Sequence, residues 1–247
     1  MRDGIVLTKL LRHDRAVVAV GAAVIALIGW GYLFYEGWAM QHMDLVAMAM
    51  PSTGAWGLMD LLVVFAMWAV MMVAMMVPSA TPMLLTFATI ARSRRAKGRA
   101  FVALWVFLAG YLVLWTAFSL AATLAQWGLH SLALISPMMV ATSPLLGSLL
   151  LIAAGVYQWT PLKQACLKHC RSPLQFLLTC WQDGPAGAFL MGLRHGAYCL
   201  GCCWLLMAVL FAVGVMNLAW IAALSVFVLL EKIIPRGFWV AKVAGLS

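Results

Sequence analysis

Four residues in the last third of the 247-residue chain are spaced for soft-metal chemistry. His195, Cys199, Cys202 and Cys203 fall at i, i+4, i+7 and i+8, so a helix carries them on one face. They belong to the stretch Gly192-Leu193-Arg194-His195-Gly196-Ala197-Tyr198-Cys199-Leu200-Gly201-Cys202-Cys203-Trp204, inside an apolar run long enough to cross a bilayer. Thiolate and imidazole ligands suit copper(I), zinc and iron–sulfur centres. Gly192, Gly196 and Gly201 let a neighbouring backbone come close. The competing reading is cysteine as a small apolar packing residue. Arg194 and His195 are functional candidates if the segment is fully inserted, whereas an interfacial start lets Arg194 snorkel.

Two further sets share this chemistry. Cys166, His169 and Cys170 fall at i, i+3 and i+4, close enough for two or three ligands on one helical face. Met67, Met71 and Met75 form a stripe at i, i+4 and i+8, and Met72 and Met76 form another about 100° away. Thioethers bind copper(I) or silver(I) and ignore hard ions, although a methionine stripe also packs adaptably. The candidate metal ligands are therefore Cys199, Cys202, Cys203, Cys166, Cys170, His195, Met71, Met75 and Met76. His42, Met43, Asp44, Met48 and Met50 form a candidate capture loop. Glu231 either pairs with Lys232, Arg194 or a basic loop, or couples to a proton or ion. No phosphate-binding glycine loop, metalloprotease histidine pair or serine elbow is present. No catalytic residue and no organic cofactor site is assigned, and a single histidine at membrane depth disfavours bis-histidine haem.

The elements that must position these residues are membrane helices. Hydrophobic residues make up 66% of the chain and charged residues 9%, against about 25% charged in soluble domains. Continuous apolar runs exclude a barrel, whose strands alternate with period two. The expected architecture is an all-α, polytopic bundle in one domain, 1–247, with six transmembrane helices at about 16–35, 58–90, 101–126, 144–159, 186–216 and 218–234. No cleavable signal peptide is expected at the start, because no small-residue cleavage site closes the first apolar run.

Pro78 and Pro82 are expected to bend the second helix or end its regular part. Asp60 is expected to cap its start. Ser143-Pro144 reads as N-cap and first residue of the fourth span, and Thr160-Pro161 and Ser172-Pro173 repeat that signal. They predict two short interfacial helices between spans four and five.

Lysine and arginine set the orientation. Arg2, Lys9, Arg12 and Arg15, then Arg92 to Arg99, then Lys163, Lys168 and Arg171, then Lys232, Arg236 and Lys242 all fall on one side of a six-span bundle. Both termini are therefore expected in the cytoplasm of a bacterial inner membrane. Topology accounts for the net charge of +9, so the expected partners are the lipid bilayer and a metallochaperone or membrane-complex protein, with no nucleic acid. All six cysteines lie between Cys166 and Cys203, on the cytoplasmic half of that topology. A reducing compartment favours metal or redox roles over structural disulfides.

Several of these segments resemble an uncharacterised bacterial family labelled predicted metal-binding integral membrane protein. The likeness rests on Met71-Met72-Val73-Ala74-Met75-Met76-Val77-Pro78, on the run from Tyr157 to Pro173, on Gly192-x3-Gly196-x2-Cys199-x-Gly201-Cys202-Cys203-Trp204-x2-Met207, and on Glu231-Lys232. It extends from about Leu58 to Lys232. It implies that Cys166, Cys170, Cys199, Cys202, Cys203 and the methionine-rich helix are signature positions. The functional expectation is transport, storage or delivery of copper(I), with zinc or another soft metal open. Two alternatives stand beside it. One is a membrane thiol oxidoreductase using Cys199-x2-Cys202; the other is a non-catalytic assembly or anchoring subunit.

Overall fold

The computed structural model describes residues 2–41, 56–98, 103–132, 134 and 143–234. Every regular element among them is a helix. In chain order these are α1 (Arg2–Gln41), α2 (Leu58–Ala96), α3 (Leu104–Ser131), α4 (Pro144–Gln158), α5 (Pro161–Arg171), α6 (Pro173–Cys180), α7 (Gly184–Ala208), α8 (Leu210–Val213) and α9 (Leu218–Ile233). The loop residues His42, Met43, Asp44, Met48 and Met50 lie outside the described residues, as do Arg99, Arg236 and Lys242.

Local chemistry accounts for most of the boundaries. Ser143 Oγ accepts the Leu146 N–H and Thr160 Oγ1 accepts the Lys163 N–H, each with proline opening the helix behind it. Asn217 Oδ1 accepts the Trp220 N–H at the start of α9. Gly57 is the N-cap of α2; Asp60 sits one turn in, and its carboxylate accepts the Gly57 N–H at 2.8 Å. The helix does not end at its prolines: Pro78 and Pro82 both lie inside α2. Each proline removes one rung of the ladder. Hydroxyls crowd the same stretch: Ser79 donates to the Met76 carbonyl, Thr81 to that of Val77 and Thr86 to that of Pro82. Arg94 and Arg95 sit in the last turn of α2, where the helix dipole favours cations.

Four stretches are long and apolar enough to cross a membrane: Arg15–Ala39, Leu58–Ala96, Leu104–Ser131 and Gly184–Val213. The pair α4 and α5, bent by 65° at their junction, would make a fifth. With 16 residues, α9 spans about 24 Å, short of the roughly 30 Å hydrocarbon thickness. Length and composition alone therefore support four or five crossings among the described residues, where six were expected.

The centre of the bundle is the contact of α3 with α7, flanked by α2, α1 and α5. Backbones touch there. A Cβ added at Gly110 would collide with the Phe189 carbonyl oxygen, and one at Gly192 with that of Phe107. Across α2 and α3, the buried Trp68 indole donates to Gln126 Oε1 at 2.7 Å. One apolar cluster holds Met67, Trp68, Met71, Met72, Met75, Met76, Tyr111 and Trp115; a second gathers Met83, Phe87, Phe107, Phe176 and Met191. Outward-facing side chains are also apolar, among them Leu27, Ile28, Leu58, Trp105, Leu145 and Ile152.

The α3–α7 contact makes a graded prediction. Gly192→Ala and Gly110→Ala should each cost about 1–3 kcal/mol by overpacking, read as a lower melting temperature in detergent. Gly21→Ala in α1, where nothing lies within 4 Å of the new methyl group, should be neutral or stabilise by up to about 1 kcal/mol.

Candidate metal centre

The stripe on α7 faces inward. Its four residues are almost fully enclosed, with His195 2%, Cys199 0%, Cys202 1% and Cys203 0% exposed. Arg194, on the other side of the same helix, is exposed, as a snorkelling arginine would be. Cys202 Sγ and Cys203 Sγ both turn back along the helix and donate to the Cys199 carbonyl, at 3.1 and 2.9 Å. The three thiols thus crowd around one turn.

Cys166 and Cys170 are delivered by α5. Lys163, Leu167 and Cys170 form the buried face of that helix, at i, i+4 and i+7. Its α4 neighbour ends at Gln158, and the Thr160-Pro161 start turns the chain through 65° so that α5 lies against α7. Cys166 Sγ occupies the space a side chain at position 201 would need, so Gly201 makes room for a sulfur. Cys170 lies in the same buried cluster as Cys199, Cys202 and Cys203. Five of the six cysteines therefore gather at the α5–α7 contact, all of them free thiols. The sixth, Cys180, closes α6 and packs against the second apolar cluster.

Two cations hold this corner together. Lys163 Nζ donates to both carboxylate oxygens of Glu231, at 2.8 and 3.1 Å, with both side chains 1% exposed. Of the partners open to Glu231, the structure selects the lysine of α5. The Arg171 guanidinium donates to the Ile234 carbonyl, tying the other end of α5 to the end of α9.

A third cation reaches the thiols themselves. Lys232 Nζ lies 3.0 Å from Cys199 Sγ and 2.8 Å from Ser79 Oγ. The Tyr111 hydroxyl donates to the Met76 carbonyl at 3.2 Å and lies the same distance from Cys199 Sγ. Cys199 is thus the meeting point of α2, α3, α5, α7 and α9. Met71, Met75 and Met76 are fully buried in the apolar cluster that contains Cys170, Cys199, Cys202 and Cys203.

Not every candidate joins this centre. The His195 ring is lodged among Phe107, Tyr111 and Phe176, with centroids 6.1, 5.6 and 5.8 Å away, and its Nδ1 has no hydrogen-bond partner. His169 is exposed and stacks on Tyr198 at 4.2 Å, while its Nδ1 lies 2.9 Å from the Ala165 carbonyl. Among the described residues, no group of three or more His, Cys, Asp or Glu side chains is set out as a ready metal shell. Cys202 and Cys203 would have to leave the Cys199 carbonyl to act as ligands.

Sequence reasoning missed Lys232, Tyr111, Ser79 and Lys163 as neighbours of the thiols. The signal was present for the lysines. A charged residue flanking an apolar segment needs a partner, and in the sequence Lys232 reads as a topology marker and a candidate partner of Glu231, not as a neighbour of the thiols.

The arrangement defines a helical, apolar protein with a buried thiol and thioether cluster. The chain belongs to the PpoB2 family, described as copper chaperone, whose sequence model matches residues 65–247. No curated protein and no solved structure matches the chain. All the segments that carry the thiols, the buried methionines and the Glu231-Lys232 pair fall within the matched region.

The buried Lys163–Glu231 pair generates a prediction. Glu231→Gln should destabilise the protein by about 3–5 kcal/mol, because it strands the Lys163 charge. The double variant Lys163→Met with Glu231→Met should recover most of that loss. Denaturation of the parent, the Lys163→Met and Glu231→Met single variants and the double variant in the same detergent measures the coupling.

Proposed function

We propose that this chain is an inner-membrane copper(I) handler that holds the ion on cysteine sulfur and passes it on. The observation that carries this reading is the convergence of Cys166, Cys170, Cys199, Cys202 and Cys203 with the buried methionines of α2. Soft thiolate and thioether donors favour copper(I), and the family description points to the same metal.

In this reading Cys199 holds the ion together with a second thiol drawn from Cys202, Cys203 and Cys170. Met71, Met75 and Met76 provide a weaker thioether surface beside them. Cys166 is only half-buried, and so is the thiol through which the ion is exchanged. The unpartnered Nδ1 of His195 is a reserve donor one turn away. A carrier gains from having no rigid shell. Copper(I) is content with two or three sulfur ligands, and a site that forms by side-chain rotation also lets the ion go.

The membrane topology belongs to the same proposal: six crossings, with both termini cytoplasmic. Its support is geometric and electrostatic. Apolar side chains cover the outside of the bundle, which water would not favour. The Arg94–Asp183 ion pair joins the end of α2 to the start of α7, while Gly37 of α1 packs beside Leu218 at the start of α9. Helix ends separated by the proposed bilayer thus meet in two groups. Arg94 belongs to one of them.

Protein purified from copper-supplemented cells should carry near-stoichiometric copper by mass spectrometry. The triple variant Cys199→Ser, Cys202→Ser, Cys203→Ser should carry at least about tenfold less, with its elution profile intact. Equal, sub-stoichiometric copper in both would sink the reading.

A further inference from the structure

We propose that Lys232 is the counter-cation of the thiol site: its ammonium balances the charge of a monovalent soft ion held by two thiolates, one of them Cys199. The inference rests on the copper reading and assigns to that site a residue that is not itself a ligand.

The argument begins with the charges buried near the thiols. Lys163 and Glu231 face each other at 2.8 Å and cancel. Lys232 is the next residue along α9, so its side chain points about 100° away from that of Glu231, toward α2 and α7. It is 8% exposed, and no carboxylate among the described residues pairs with it. Among the described residues its partners are the neutral Ser79 hydroxyl, which is itself bonded to the Met76 carbonyl, and Cys199 Sγ. A buried ammonium with no carboxylate calls for another anion. Among the described residues, the atom in direct contact with it that can bear negative charge is the Cys199 sulfur.

Charge arithmetic then constrains the loaded site. A monovalent ion on two thiolates carries one net negative charge. Buried in apolar surroundings, that charge is costly unless matched, and Lys232 matches it. A shell of thioethers and imidazole alone, beside Lys232, would instead bury two positive charges. Three thiolates on a monovalent ion would leave one negative charge even with the lysine present. The lysine therefore favours two thiolates and restricts the methionines to a neighbouring, weaker role.

The test uses the full chain in detergent under anaerobic conditions, with copper(I) affinity read by competition with a chromogenic chelator. Lys232→Met and Lys232→Gln should bind copper(I) about 10–100-fold more weakly, as is usual when a partner of a metal ligand is lost. Lys232→Arg, which keeps the charge, should restore most of the affinity. Melting temperature and elution volume report on the fold. A folded Lys232→Met or Lys232→Gln protein that binds as tightly as the parent, or more tightly, overturns the proposal. A measurement on the unmutated protein guards against variants that fail to fold. X-ray absorption of the copper(I)-loaded chain should show a digonal two-sulfur site, and a trigonal site of three thiolates overturns the assignment. If the parent protein binds no copper(I), it is the copper reading that falls, and this inference falls with it.

Discussion

The contact on which the candidate site depends is the ion pair between Lys163 and Glu231. Both groups are sealed from solvent, and each makes the other tolerable there. Its structural effect reaches beyond its own atoms. Helix α5 is short and rich in polar residues, and by composition alone it has little reason to bury a face. The pair turns that face inward, and Cys170 follows because it shares the face with Lys163, while Cys166 comes to rest against Gly201. Without this anchor the thiols of α7 would meet only methionine, tyrosine and the Lys232 ammonium.

A second constraint sets how closely the rest can approach. Gly110 and Gly192 bring the backbones of α3 and α7 together, which presses the Tyr111 ring against that of His195 and its hydroxyl against Cys199. The same closeness encloses His195 in aromatic rings. A histidine that spacing alone groups with the thiols is thereby held a turn apart from them.

Much of the local structure was legible in the sequence. Ser143-Pro144 and Thr160-Pro161 state helix starts through side-chain caps and a proline at the first position, and both caps are present. The inward stripe of His195, Cys199, Cys202 and Cys203 follows from helical periodicity and is buried as a unit. What was not legible is which stripe meets which. Periodicity assigns faces within a helix, but it carries no information on the rotation of one helix against another distant in sequence. Glu231 had three candidate partners, and only the three-dimensional fold selects Lys163, 68 residues away. That α2 does not end at its prolines has a different reason. The propensity argument treats a helix in isolation, whereas in this bundle tertiary packing carries α2 through both of them.

The position of α9 in the chain has a consequence for biogenesis. Glu231 and Lys232 are synthesised after every cysteine, so α5 has no anchor and Cys199 no ammonium until the last described helix is in place. Until then the thiols lack both the α5 contact and the lysine that enclose them in the finished fold. Completion of the fold and protection of the thiols are thus one event. A ribosome stalled before α9 would leave a nascent chain with most of its helices and none of the safeguards around its sulfur.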